Sequence, residues 1–268
     1  MFSPYYAWAR RRGSADPENH VALNVALYGP KRRWAMTERG ASALLRSVDR
    51  FAVGPSEMEW DGTALTVRFD ERSAPLPLRL RGTVRLFPAA LFSETFTLDP
   101  AGLHRWTPLA ASARVEVALE EPSLAWSGYG YLDTNAGDEP LERGFSRWDW
   151  ARAKAGSEAL ILYDTWRRDG SRLALSLRPR ADGTLERLAM PEAWSLPRTP
   201  LWRIRRTAHG EAPRVAATLE DTPFYARSTI ATRLLGQQAT AVHESLDLDR
   251  FSRSWVRALL PFRMPRRP

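Results

Sequence analysis

The chain has no cysteine, two lysines (Lys31 and Lys154), four histidines and no apolar run long enough to cross a bilayer. Without cysteine there is no disulfide, no thiolate metal site and no cysteine nucleophile, which points to a reducing compartment. The histidines, His20, His104, His209 and His243, stand singly, with none of the paired spacings of metal motifs. No basic stretch followed by an apolar run opens the chain, which predicts no secretory leader. GxSxG and GxGxxG are both missing, so neither a nucleophile elbow nor a dinucleotide cofactor is supported. What charge there is comes from arginine: the net charge is +8 over 268 residues. Basic chains bind nucleic acid or anionic lipid. No nucleic-acid-binding motif is present, so a membrane surface is the better expectation.

Short β-rich runs separated by turn signals fill most of the length. EMEWDGTALTVRF predicts a hairpin across Asp61-Gly62, and Asp169-Gly170 and Asp182-Gly183 predict a three-stranded meander. Further strands are expected at 21–29, 33–38, 77–88, 114–121, 123–132, 201–209, 214–221 and 241–248. Helix is expected at 41–50, in a short piece near 227–235, and in the tail. The fold class is therefore mainly β, antiparallel and up-and-down, of a type that forms barrels around apolar cavities. Proline-containing stretches at 75–78 and 107–122 are candidate breaks, and a boundary near residue 118 would give domains 1–118 and 119–268. In the tail, 250–268, Phe251, Trp255, Val256, Leu259 and Leu260 form one helical stripe among arginines, either an interfacial helix or one packed on the barrel.

The most unusual segment is GYGYLDTNAGDEPLERGFSRWDW, where Asp133, Asp138, Glu139, Glu142 and Asp149 stand among aromatic residues. A calcium loop is not met by its spacing, and no metal site is expected. Carboxylates beside aromatic faces suit acid chemistry on an apolar substrate. Burial disfavours the anion, so a carboxyl in a dry pocket stays protonated near neutrality. Ring faces then stabilise a carbocation without capturing it, by roughly 0.5–2 kcal/mol per contact. The alternative is a solvated polar turn, DTNAGDEP, between two aromatic strands.

These residues, with FSPYYAWARRRGSADPENHVALNVALYGPKRRWAMTERG at the start, resemble the carotenoid 1,2-hydratases, the hydroxyneurosporene synthases of purple phototrophic bacteria. The similarity runs from Phe2 to about Asp247. It implies tandem lipocalin-like β barrels and cofactor-free addition of water to the terminal C1–C2 double bond of an acyclic carotenoid such as neurosporene or lycopene. It also implies a cytoplasmic protein peripherally associated with the inner photosynthetic membrane. The family's acid falls on Asp133, with Asn135, Asp138 or Glu142 to orient the water, and Tyr131, Trp148, Trp150 and Trp166 to line the cation's pocket. Tyr6 and Trp8 of the opening block are further substrate-binding candidates, and His20 reads as a structural hydrogen bonder. Members usually carry a segment before FSPYYAWAR, so the natural start is expected upstream of Met1, and the first barrel here would lack its opening strands. Two other functions share these features: an acid-initiated polyene cyclase, which keeps water from the cation, and a lipocalin-like carrier, which has no use for a buried carboxyl.

Overall fold

The computed structural model describes residues 2–267. Its strands are β1 (Asn24–Leu27), β2 (Arg33–Met36), β3 (Leu44–Arg46), β4 (Arg50–Val53), β5 (Ser56–Trp60), β6 (Leu65–Arg72), β7 (Arg79–Pro88), β8 (Phe96–Thr97), β9 (His104–Glu121) and β10 (Leu124–Gly137). They continue as β11 (Phe145–Ala155), β12 (Glu158–Arg167), β13 (Arg172–Pro179), β14 (Leu185–Arg187), β15 (Ala193–Leu196), β16 (Arg206–His209), β17 (Glu211–Asp221), β18 (Tyr225–Leu234) and β19 (Gln237–Asp247). Among the described residues four α-helices accompany them: α1 (Pro4–Arg12), α2 (Leu141–Gly144), α3 (Leu248–Phe251) and α4 (Ser254–Leu259). The protein is thus mostly antiparallel β, as the strand pattern predicts. Its sheets are hydrogen-bonded in the orders β10-β9-β7-β6-β5-β4-β3, with β8 on β9, and β14-β13-β12-β11-β19-β18-β17. Neither closes into a barrel among the described residues.

The chain forms two compact units, and each draws on separated stretches. One holds the chain up to Pro88, Ala113–Gly130 and the chain from Arg257; the other holds Ala89–Ser112 and Tyr131–Val256. Passage from one to the other therefore occurs at several points, including within β9 and β10, in place of a single boundary near residue 118. In the first unit, Leu23, Ala35, Phe69, Leu80, Val117 and Leu119 make the apolar core. Beside it, Glu38 accepts from Ser3 and Arg266 and meets His20 Nδ1 at 2.8 Å, which gives His20 its hydrogen-bonding partner. In the second unit, Ala151, Ala153, Leu160, Leu162, Ile230 and Ala241 pack under the β15–β16 hairpin residues Leu196 and Ala208.

All three Asp-Gly pairs turn where local chemistry puts them. Gly62, Gly170 and Gly183 have φ of 93°, 85° and 83°, a region closed to most side chains. Each preceding aspartate accepts the backbone N–H two residues on, from Thr63, Ser171 and Thr184. The helix expectations fare worse. Residues 41–43 make one 3₁₀ turn, after which Leu44 pairs with Val53 and the segment becomes β3. Residues 225–234 are β18, where buried Ser228, Ile230 and Thr232 alternate with less buried neighbours. There the period of two decides, and helix propensity is overridden by pairing on both edges. The helix α1 was not foreseen, although its signal is present: Ser3 Oγ caps the Tyr6 N–H at 2.9 Å and Pro4 occupies the first turn. Where a break is expected at 107–122, β9 runs on without interruption to Glu121 and turns only at Pro122; Pro108 is tolerated because it falls between the residues paired with β8 and those paired with β7.

The tail is not one amphipathic helix. It breaks at Ser252–Arg253, and the expected stripe splits, with Phe251 and Val256 buried while Trp255 and Leu259 are exposed.

On one side of the second sheet, beneath the β15–β16 hairpin, Asp164 is buried and accepts from Arg172 Nε at 2.6 Å and meets His209 Nε2 at 3.0 Å. Asp164→Ala leaves His209 without its carboxylate in a buried site. The expected loss is about 3 kcal/mol of stability, measured as a lower midpoint in urea. A variant as stable as wild type would refute this account of the network.

Candidate active site

The opposite side of the same sheet carries the acid segment's partners. Register places Trp150 across from Tyr163 on β12 and Glu244 on β19, and Trp148 across from Thr165 and Leu246. Residues directly opposite share a side of the sheet, so Trp148, Trp150, Tyr163 and Glu244 present their side chains together. Against them lie the start of β9 and the end of β10, which bring Trp106, Tyr131 and Asp133.

Asp133 is half-buried, and its carboxyl is held by one oxygen. Trp106 Nε1 donates to Oδ2 at 2.8 Å, and Tyr131 Oη donates to the same oxygen at 3.0 Å. Both donors thus fix Oδ2 as the acceptor, and Oδ1 becomes the natural seat of the acid proton. Burial pushes the Asp133 carboxyl above its ordinary value, the Glu244 carboxylate adds to that rise, and the Trp106 and Tyr131 hydrogen bonds oppose it in part. Tyr131 and Tyr163 are raised as well, chiefly by burial and then by the Asp133 charge, so both phenols keep their protons.

The rings form a connected wall. Trp106 meets Tyr163 at 4.8 Å and Phe96 at 5.5 Å, Tyr131 meets Trp150 at 5.1 Å, and Trp148 meets Tyr163 at 6.1 Å between centroids. These are tilted contacts of the kind that aromatic quadrupoles favour. Glu244 is held by Arg227 at 2.6 Å.

One residue further along this wall extends the chemistry. His104 shares a side of β9 with Trp106, being two residues away. Its ring lies over Gly137, which shares a side of β10 with Asp133; a Cβ at Gly137 would stand 3.1 Å from His104 Cδ2, and one at Gly144 3.0 Å from Cε1. Two glycines thus make room for the imidazole, which also meets Phe145 edge-on at 4.9 Å. Asp99 faces His104 Nδ1 at 3.0 Å and accepts the His104 backbone N–H at 2.7 Å. Burial works against the Asp99 anion, but the hydrogen bonds from Leu103 and His104 prevail and hold it below the usual carboxylate range. An ionised Asp99 takes the Nδ1 proton, so in the neutral ring Nε2 carries the lone pair. That nitrogen is buried and has no hydrogen-bond partner among the described residues, as is also true of Trp150 Nε1.

Of the residues expected from sequence, Asp133, Tyr131, Trp148 and Trp150 therefore come together. The others do not join them. Trp166 lies on the other side of β12, between the guanidinium groups of Arg147 and Arg172 at 4.5 and 4.9 Å, so its faces are already occupied by protein cations. Asp138 is exposed and forked by Arg105 at 2.9 and 3.2 Å, which holds its carboxyl low. Asn135 is exposed on β10, and Glu142 is half-buried on α2, where its carbonyl accepts from Arg168. Tyr6 and Trp8 belong to α1 of the first unit, where Tyr6 meets His20 at 5.3 Å and Trp8 is exposed. His104, Trp106, Tyr163 and Glu244 were missed. The HRW spacing, two residues apart in a strand, was the available signal for the first two.

The pattern of the carotenoid hydratase CrtC family matches residues 1–268. The chain belongs to the carotenoid hydratase family. It is 56% identical over 270 residues to the acyclic carotenoid 1,2-hydratase of Thiocapsa roseopersicina, covering 99% of this chain and 67% of that protein. To the acyclic carotenoid 1,2-hydratase of Cereibacter sphaeroides it is 41% identical over 272 residues, covering 100% of this chain and 96% of that one. Among solved structures it is similar to an AttH protein of Nitrosomonas europaea, with a TM-score of 0.59 at 15% identity, covering 81% of this chain and 77% of that one. CghA, solved with Sch210972, gives 0.51 at 12% identity, with coverage of 84% and 74%. Those two likenesses speak to the fold alone. As a carotenoid hydratase the protein is a hydro-lyase.

Proposed function

We propose that this hydratase adds water across the terminal C1–C2 double bond of an acyclic carotenoid such as lycopene or neurosporene, with Asp133 as the general acid. The observation that carries the reading is the Asp133 carboxyl, raised by burial and set by two donors on one oxygen against a wall of rings. Asp133 Oδ1–H gives its proton to C2, the π electrons form the new C–H bond, and a tertiary cation is left at C1. The quadrupoles of Trp106, Tyr163, Trp150 and Trp148 stabilise that charge, and the Glu244 carboxylate favours it as it favours the protonated acid. Water then attacks C1, and its surplus proton passes to His104 Nε2, whose orientation Asp99 maintains. Returning that proton to Asp133 through solvent completes the cycle, with one water consumed and no cofactor. Of the sequence candidates for the water-orienting role, none is favoured by its position over His104.

A polyene with this chemistry dissolves in bilayers, so the protein is proposed to work in peripheral contact with a membrane. No helix among the described residues is long and apolar enough to span one.

The direct test is chromatography and mass analysis of carotenoids from a lycopene-producing host that expresses the protein. Gain of one water supports hydration; an isomer of unchanged mass would indicate cyclisation, and unchanged lycopene would indicate a carrier. A second expectation concerns pH. Asp133 must be protonated to act, so the rate falls as pH rises through its folded pKa. Trp106→Phe removes a hydrogen bond that lowers this pKa. The variant should run about tenfold slower, yet its alkaline limb should move to higher pH. A limb that stays put or moves to lower pH contradicts the role given to Trp106.

A further inference from the structure

Away from the Asp133 wall, the second unit contains a cavity of about 290 Å³ lined by Arg147, Arg198, Arg203, Arg205 and Arg250. Two acids, Asp247 and Asp249, also face it, but both are engaged: Asp249 by Arg168, Asp247 by Arg250 at 3.6 Å. Arg147 is committed to Asp149 at 2.6 Å. Arg198 reaches only the backbone carbonyl of Arg203, at 3.4 Å. The side chains of Arg203 and Arg205 have no hydrogen bond or ion pair among the described residues. Three guanidinium groups therefore converge on one hollow without a carboxylate of their own.

The loop that delivers them is rigidly made. Asp221 accepts the backbone N–H of Leu201 at 2.7 Å and that of Trp202 at 3.2 Å, and Thr199 Oγ1 accepts from the Ile204 N–H at 2.8 Å. Between these fixed points Arg203 adopts φ of 56°, a left-handed conformation unusual for a long side chain. Such strain persists only where surrounding contacts over-determine it, and it concentrates at functional positions. The same loop carries Leu201 with 73% of its surface exposed, and Trp202 stacks on Trp255, itself 44% exposed, at 6.0 Å.

We infer that this cavity receives the phosphate of an anionic phospholipid and that Leu201 and Trp255 enter the adjoining acyl boundary, which makes the 198–205 loop a membrane-docking element. Guanidinium forks match phosphate oxygens in geometry and charge. A soluble phosphate ester would have no use for an exposed leucine and a tryptophan pair beside its site, whereas basic residues flanked by exposed apolar and aromatic ones suit a lipid surface. The proposal deepens the membrane contact put forward above, and its test reads binding separately from turnover.

Purified protein is sedimented with phosphatidylcholine vesicles, with and without added phosphatidylglycerol. Wild type should partition onto the anionic vesicles. Arg203→Gln with Arg205→Gln should weaken that partition by about tenfold or more, and Leu201→Ser should weaken it to a lesser degree. Hydration of detergent-dispersed lycopene should stay unchanged in all of these variants, which also shows that they fold. Equal binding to both vesicle types, or undiminished binding by the double arginine variant, overturns the inference. So does full release by millimolar inorganic phosphate with no effect of Leu201→Ser, which would make this a soluble-anion site. Absence of any hydrated product from wild type would instead tell against the proposed reaction and leave the docking result standing.

Discussion

Asp133→Asn is expected to abolish hydration while leaving the protein folded. The amide oxygen of asparagine can still accept from Trp106 and Tyr131, whose donors reach Asp133 at 2.8 and 3.0 Å, so the wall of rings keeps its anchor. What is lost is a transferable proton, and protonation of an alkene has no detour around it. A fall of about 10³-fold or more is expected, toward the upper end of what general acids supply, read as the yield of 1-hydroxy carotenoid against time. Stability should respond in the other direction. The Asp133 carboxyl is raised in the folded chain, so between its unfolded and folded values the native state binds the extra proton, and stability falls as pH rises through that window. Asparagine does not titrate and is free of this cost, so above the unfolded carboxyl's pKa the variant should melt no lower than wild type. A variant with near wild-type turnover would end the assignment of Asp133 as the acid.

His104→Gln tests the other half of the reaction. Glutamine can still donate to Asp99 but offers no basic nitrogen, so the cation would form and wait for a water that nothing deprotonates. Hydration should slow by about a hundredfold, with KM for the carotenoid little changed because the rings proposed to bind it are left in place. The distinguishing readout is isotope exchange. In deuterated water, Asp133 should still deliver deuterium to C2, and the cation should collapse back to alkene by losing the original C2 hydrogen or a hydrogen of a C1 methyl group. Recovered substrate should therefore carry deuterium while alcohol is scarce. If the variant neither exchanges nor hydrates, His104 supports the fold or the acid, and its assignment as the water's base is wrong. Its packing over Gly137 and Gly144 makes that control necessary.

Several parts of this protein were legible from the chain because their causes are local. Each Asp-Gly turn is made by an aspartate and the N–H two residues on, and alternation marked most strands. The helix expected over 41–50 failed because the pairing of Leu44 with Val53 depends on a neighbouring strand that propensity does not register. The tail failed for a similar reason: its spacing permits one apolar stripe, while packing takes Phe251 and Val256 inward and leaves Trp255 and Leu259 outside.

By itself the sequence determined an antiparallel β protein without cysteine chemistry, a basic net charge and a run of carboxylates among aromatic residues, since motif, charge and period are all properties of adjacent residues; the family resemblance singled out Asp133 among them. Only the tertiary structure decided which groups act on that acid. Trp106 lies 27 positions earlier in the chain, and Tyr163 and Glu244 arrive on other strands through register. A carboxyl's proton affinity is set by desolvation and by charges and donors a few ångströms away, and those distances do not exist until the strands have paired.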